Sequence, residues 1–138
     1  MRVGRTTVSD IEGQIIYIKE NGRMVPFIVA DAKYQKGKAV LLRRDVLPEL
    51  RRFNDNYSYY ENSEIDRYLS DTYRNELEDI GDYLSFANIS ITAEEAIGLS
   101  GKETKQIDRC VFLPSYTELG FKESPTTTNE GAAFSYFK

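Results

Sequence analysis

Apolar positions in this chain fall in short runs separated by polar stretches, with no long continuous stripe. Gln14 to Lys19 and Val25 to Ala30 contain the β-rich runs Ile-Ile-Tyr-Ile and Val-Pro-Phe-Ile-Val, divided by Glu20-Asn21-Gly22-Arg23. Asn-Gly readily adopts the positive φ values of a tight turn, so the stretch predicts an antiparallel hairpin. Pro26 has no amide to give to a ladder, which sets that end of its strand at a sheet edge or beyond it. After the Lys36-Gly37-Lys38 turn, Ala39 to Leu42 is apolar enough for a central strand covered on both faces. The three runs together predict a meander.

From Asp45 to Asn62 the periodicity lapses into polar and aromatic residues, as in a long ordered loop. Asn62 or Ser63 then caps a helix in which Ile65, Tyr68, Leu69 and Thr72 to Tyr73 recur at helical spacing, with Glu64 and Asp66 well placed in the first turn. Arg74 to Leu84 repeats the spacing through Leu77, Ile80 and Leu84 as a second short helix, weakened near its end by Gly81. Ala87 to Thr92 alternates apolar and polar, the signature of a half-buried strand. Ala93 to Gly101 fits either a helical turn, with Thr92 and Glu95 as capping box, or an irregular loop. Cys110 to Leu113 reads as a last buried strand, entering a turn where Ser115 and Glu118 cap each other and Gly120 takes the left-handed exit. Residues 124–131 are loop-like.

The expected class is α+β, an antiparallel sheet with two short helices, in a single domain over residues 1–138. At 15.9 kDa such a domain buries roughly two thirds of its unfolded surface. Residues 122–138 form a polar tail or an edge strand. Either this tail supplies an edge the sheet still needs, or another chain does, which would make the protein an assembly component.

Composition removes much chemistry. The chain has no histidine, no tryptophan and one cysteine. An internal disulfide is impossible, and zinc sites of the Cys/His kind, Ser-His-Asp and Cys-His nucleophiles and histidine acid-base catalysis would all need residues from a partner. Cys110, within Cys-Val-Phe-Leu, reads as a buried, inert thiol. No apolar run approaches the roughly 20 residues of a bilayer span, and residues 1–7 lack a secretory pattern, so cytoplasmic synthesis is expected. The net charge of −4 is unevenly spread: residues 1–52 carry 11 basic and 6 acidic side chains, residues 53–95 carry 2 and 11. That asymmetry fits head-to-tail contact between copies or attraction to a charged partner surface, or simply the solvated faces of helices.

Several segments, in order, resemble one family: Tyr17 to Gly22 with Val25 to Val29, Leu41 to Asp45, Ser63 to Leu69, and Val111 to Gly120. It is a family of uncharacterised domains common in prophages and gut Firmicutes, encoded among phage structural genes and in bacterial surface proteins. The resemblance covers about residues 10–121. It implies a C-type-lectin-like fold and little about activity. Family members continue past the Leu-Gly position into a Trp-x-Arg-Ser/Thr-Pro segment and closing strands. This chain has no tryptophan, so the expected architecture is a truncated form of that fold with an open sheet edge.

For recognition, the loop from Asn54 to Tyr60 stands out, with Asn56, Tyr57, Tyr59 and Tyr60 as candidate binding residues. Tyrosine gives large rigid area with a polar tip, suited to sugar or protein contacts; the alternative is that these rings pack over the sheet. Asp55 with Glu61 or Glu64, and Glu76, Glu78, Asp79 and Asp82, match neither a calcium loop nor a convincing glycosidase pair. Phosphate-binding glycine loops are absent. Arg43, Arg44, Arg51 and Arg52 are expected to bridge to the acidic middle and not to meet nucleic acid, for which a pI near 5.0 is too low. The expectation is thus a non-enzymatic phage or prophage virion component of the tail, baseplate, fibre or head decoration. It would work by contact with other virion proteins or copies of itself, without cofactor, metal, nucleic acid or membrane, in the virion or in the bacterial cytoplasm before assembly. The alternatives are a recognition module for a host-surface glycan or protein, and a bacterial surface or regulatory protein.

Overall fold

Asn21 and Gly22, at φ 49° and 81°, turn the chain tightly enough for β3 (Ile15–Glu20) to pair residue for residue with the start of β4 (Arg23–Gln35). The computed structural model describes residues 2–3, 6–7, 12–35, 37–55, 58–97, 103–121 and 128–138. Ahead of the hairpin, β1 (Arg2–Val3) and β2 (Thr6–Thr7) form a small antiparallel ribbon. β5 (Lys38–Arg43) returns antiparallel along β4, completing a sheet of order β3-β4-β5. β6 (Ala87–Thr92) and β7 (Thr104–Arg109) form a separate antiparallel pair. With the helix between them, the fold is broadly α+β.

The meander is as expected, with one exchange of places. The apolar run at residues 39–42 is an outer strand, half-buried throughout, and the long β4 is central. Pro26 therefore lies in the central strand, but where β5 departs: its carbonyl accepts from the Arg44 amide at 3.1 Å, just past the last pair, Phe27 with Arg43. The missing donor faces that same side, at the end of the ladder. Two register shifts in β4, between Val29 and Asp31 and between Asp31 and Gln35, are bulges.

One helix replaces the two expected. α1 runs over residues 64–76, α-helical at Glu64–Arg67, π-helical at Tyr68–Tyr73 and α-helical again at Arg74–Glu76. Ser63 caps it, its hydroxyl accepting from the Asp66 amide, and Ile65, Leu69 and Tyr73 form the buried stripe. Helical spacing continues to Leu84, yet the helix stops at Glu76 because the chain meets the edge of β3. The Asn21 amide donates to the Glu76 carbonyl, the Glu78 amide donates to that of Lys19, and Leu77 bridges to Glu20. A 3-10 turn at Gly81–Tyr83 is what remains of the second helix.

β6 matches its predicted range, and the uncertain stretch after it holds a 3-10 turn, Glu94–Ala96. The strand expected at Cys110–Leu113 is displaced to Thr104–Arg109, where Ile107 alone is buried. Cys110 to Leu113 instead runs unpaired, Val111 and Phe112 packing on the core and the Leu113 amide donating to the Tyr60 hydroxyl at 3.1 Å. Cys110 is half-buried, not buried as expected.

The core joins both sheets to the helix through Ile18, Phe27, Leu69, Leu77, Ile89 and Ile107. The end of the chain folds back onto it. Phe134 is 1% exposed, meets the Tyr34 ring edge-on at 5.7 Å and donates its amide to the Glu118 carbonyl. Ser135 donates its amide to Asp31 and its hydroxyl to Glu12. Gly120, at φ 85°, admits the tail's backbone, since a β-carbon there would stand 2.9 Å from the Phe137 carbonyl oxygen. Residues 128–138 are thus a docked plug ending in the 3-10 turn Ser135–Phe137, not an edge strand. Truncating Phe134→Ala should lower unfolding free energy by about 3–5 kcal/mol in urea titrations. A loss below about 1 kcal/mol would show that the tail carries no core packing.

Candidate functional site

Two bidentate ion pairs fix the framework around the site. Arg109 donates from Nε and Nη2 to the Asp66 carboxylate at 2.8 and 2.7 Å, tying β7 to the start of α1. Asp66 also accepts from the Asn62 amide at 2.8 Å. Burial works against the Asp66 charge, but Arg109 and the Asn62 amide outweigh it and hold the carboxyl below its ordinary value. Arg43 likewise donates twice to Glu20 at 3.0 Å, and Tyr73 adds its hydroxyl. Glu20 is again held low against its burial.

Between this framework and the returning tail lies a cleft of about 270 Å³. Its walls come from Phe53, Ser58 and Tyr60 of the long loop, Ile89 to Thr92 of β6, Leu113 to Ser115, and the carboxylates of Glu118 and Glu130. The predicted capping box forms: the Glu118 amide donates to the Ser115 hydroxyl at 3.1 Å, and the Ser115 amide to Glu118 Oε1 at 2.9 Å. Glu118 is 5% exposed. Burial first, then the charge of Glu130, push its carboxyl above the ordinary value despite the Ser115 bonds. Glu130 Oε2 accepts from the Thr92 amide at 2.6 Å and its hydroxyl at 3.1 Å. Thr92 therefore serves the tail, not a capping box with Glu95.

Of the four predicted binding residues, Asn56 and Tyr57 lie outside the described residues. Tyr60 is a core residue, 8% exposed, its ring 6.1 Å from that of Phe53. Burial pushes its hydroxyl up to about 12. Tyr59 is half-buried and donates to Glu61, which Lys105 also holds. Both described tyrosines thus pack inward, and only Tyr60 reaches the cleft. The acidic candidates do not converge: Glu61 pairs with Lys105 and Glu64 with Arg52, and no group of three potential metal ligands occurs among the described residues. Of the four arginines, Arg52 reaches the acidic middle; Arg43 pairs with Glu20, Arg44 with Asp45, and Arg51 with Glu49 while stacking over Tyr68. Sequence reasoning saw Glu118 only as a cap and missed Glu130, which sits in a featureless polar stretch.

A second surface is apolar. In β3 the residues Ile16, Ile18 and Glu20 face the core, leaving Ile15, Tyr17 and Lys19 outward, opposite Ile28, Pro26 and Met24 of β4. Leu42, paired with Ile28, continues that outer face on β5. Ile15, Tyr17 and Met24 are 44%, 60% and 59% exposed.

A family model described as a domain of unknown function, DUF6273, matches residues 36–138. The chain belongs to this family. The DUF6273 match takes in β5, α1, the β6-β7 pair and the docked tail, so both carboxylates of the cleft lie inside it, while the β3-β4 hairpin precedes it. No curated protein and no solved structure matches the chain. Among the described residues no helix is long and apolar enough to cross a membrane.

The two kinds of buried carboxylate have opposite pH signatures. The contributions of Asp66 and Glu20, whose folded values are depressed, are present above their ordinary 3.8 and 4.5 and are lost as pH falls. Glu118, whose folded value is raised, is best tolerated below 4.5 and costs stability as pH rises past it. Glu118→Gln should therefore match or exceed wild-type stability at pH 7, with the difference shrinking toward pH 4, whereas Asp66→Asn should lose about 3 kcal/mol at pH 7. Urea unfolding across this range checks both, and a Glu118→Gln variant less stable at pH 7 than at pH 4, relative to wild type, would reverse the assignment.

Proposed function

We propose that this DUF6273 domain is a non-enzymatic structural component of a phage or prophage virion, in the tail, baseplate, fibre or head decoration, acting through protein contacts. The observation that carries the contact role is the outer face of the β3-β4-β5 sheet, where Ile15, Tyr17 and Met24 are exposed beside half-buried Pro26, Ile28 and Leu42. Large apolar side chains gathered on one sheet face mark an interaction surface more than a solvated one. The virion setting rests on the sequence resemblance. So does the C-type-lectin-like architecture, with which a meander, one crossing helix and a long ordered loop are in keeping.

The expected need for a neighbour's strand no longer supports this reading, because the tail docks on its own protomer. Contact is proposed through a face, not an edge. Glycan recognition by the tyrosine loop gains nothing from Tyr59 and Tyr60, which are engaged internally. Density-gradient-purified particles from an induced source strain should contain the chain. Tyr17→Glu with Met24→Glu should lower its copies per particle about tenfold, the effect of about 1.4 kcal/mol of lost contact, without lowering thermal stability. A chain abundant in the cell yet missing from particles, or a double variant incorporated like wild type, would contradict the proposal.

A further inference from the structure

The cleft beside Tyr60 has the makings of a site for a positively charged group. Each of its two carboxylates spends one oxygen on the protein: Glu118 Oε1 on the Ser115 amide, Glu130 Oε2 on the Thr92 amide and hydroxyl. No donor among the described residues reaches Glu118 Oε2 or Glu130 Oε1. Glu118 is buried in the cleft wall, and its Oε2 lies beside Gly131, 3.8 Å from where a β-carbon there would stand. Among the described residues no lysine or arginine lines the cleft, and Arg109, on β7, is committed to Asp66. Phe53, Tyr60, Leu113 and Pro114 supply apolar and aromatic wall, the surroundings in which an alkyl stem and a cationic head are both accommodated.

The exposed edge of β6 supplies a second, independent feature. Asn88 and Thr92 turn their amides away from β7, and each is met by a side chain, Gln35 and Glu130. Gln35 also donates to the Asn88 carbonyl at 2.8 Å. By strand alternation Ser90, midway between them and paired across from Gln106, turns its amide and carbonyl the same way. No described residue takes either group, and Ser90 lines the cleft. Side chains thus close the edge on both sides and leave one backbone donor and acceptor open, the pair an extended peptide uses when it adds to a sheet.

We propose that this cleft binds an extended peptide segment through one basic side chain, arginine or lysine, seated between Glu118 and Glu130, with the peptide's backbone pairing to Ser90. A metal ion is a poorer fit, since two carboxylates without a third ligand do not make a cage. Arginine is the better of the two cations, because its planar fork reaches two carboxylates at once and stacks on rings. The inference does not depend on the outer sheet face.

The test is a titration of the labelled chain with Ac-Ala-Arg-Ala-NH2, with Ac-Ala-Gln-Ala-NH2 as the neutral control, read from backbone amide resonances. The arginine peptide should give saturable shifts at Ser90, Thr92 and Leu113 with a dissociation constant of about 1 mM or tighter, weakening as salt is raised. Glu118→Gln with Glu130→Gln preserves the acceptors for Ser115 and Thr92 and should weaken binding at least about tenfold. Because the comparison of the two peptides uses only the wild-type chain, the outcome does not hinge on the variant folding. Equal binding of both peptides, no saturable shift at the cleft, or shifts confined to the outer sheet face would overturn the proposal.

Discussion

Phe134, buried edge-on against Tyr34 in the bulged stretch of β4, fixes the end of the chain against the middle of the sheet, and much of the architecture follows from that anchor. With Phe134 in place, Glu130 lies within reach of the Thr92 amide, Ser135 meets Asp31 and Glu12, and Gly120 must remain a glycine to let the tail pass. The β4 bulges belong to the same constraint. They bring Val29 and Ala30, consecutive residues, to complete burial, which a regular strand with one solvated face does not do.

The return of the tail also answers how a small sheet leaves few backbone groups bare. Among the described residues no further strand extends β6. The Gln35 carboxamide and the Glu130 carboxylate take the amides of Asn88 and Thr92, which are the roles a neighbouring strand's carbonyls would play. A carboxylate in that role brings a charge, and setting Glu130 near the buried Glu118 makes the cleft acidic. The electrostatic character of the site is thus a by-product of closing the fold. The Asp66–Arg109 and Glu20–Arg43 pairs differ in kind, since their charges are matched and hydrogen-bonded; the first ties the helix to β7, and the second, within the three-stranded sheet, takes the Tyr73 hydroxyl of the helix.

Local signals were legible where the chain's own neighbours decide the conformation. The Asn-Gly hairpin, the Ser63 cap, the alternation of β6 and the Ser115–Glu118 box all depend on residues within a few positions of one another, and all formed. The failures share a different cause. Leu77, Ile80 and Leu84 keep helical spacing, but backbone bonds to Lys19 and Asn21, remote in sequence, end the helix at Glu76. β7 is invisible because five of its six residues are not buried, and the apolar run after it pulls the eye to Cys110–Leu113, which packs without pairing. In the site, the tyrosine loop was found but misjudged in part: a buried Tyr60 and a solvent-facing one have the same local sequence. Glu130 had no signal at all, since its importance comes from a tail whose docking residue, Phe134, is one of three aromatics after a polar stretch, with nothing local to single it out.

The central claim is that residues 128–138 are an integral part of the domain's own core. Native-state amide hydrogen exchange tests it most directly, because the Phe134 amide bonds to Glu118 and the Thr92 amide to Glu130. If the claim holds, both amides exchange as slowly as those of the β3-β4 ladder, through global unfolding. Rapid exchange at Phe134 and Thr92 while the ladder stays protected would contradict it, returning the tail to solvent and the edge of β6 to an outside partner.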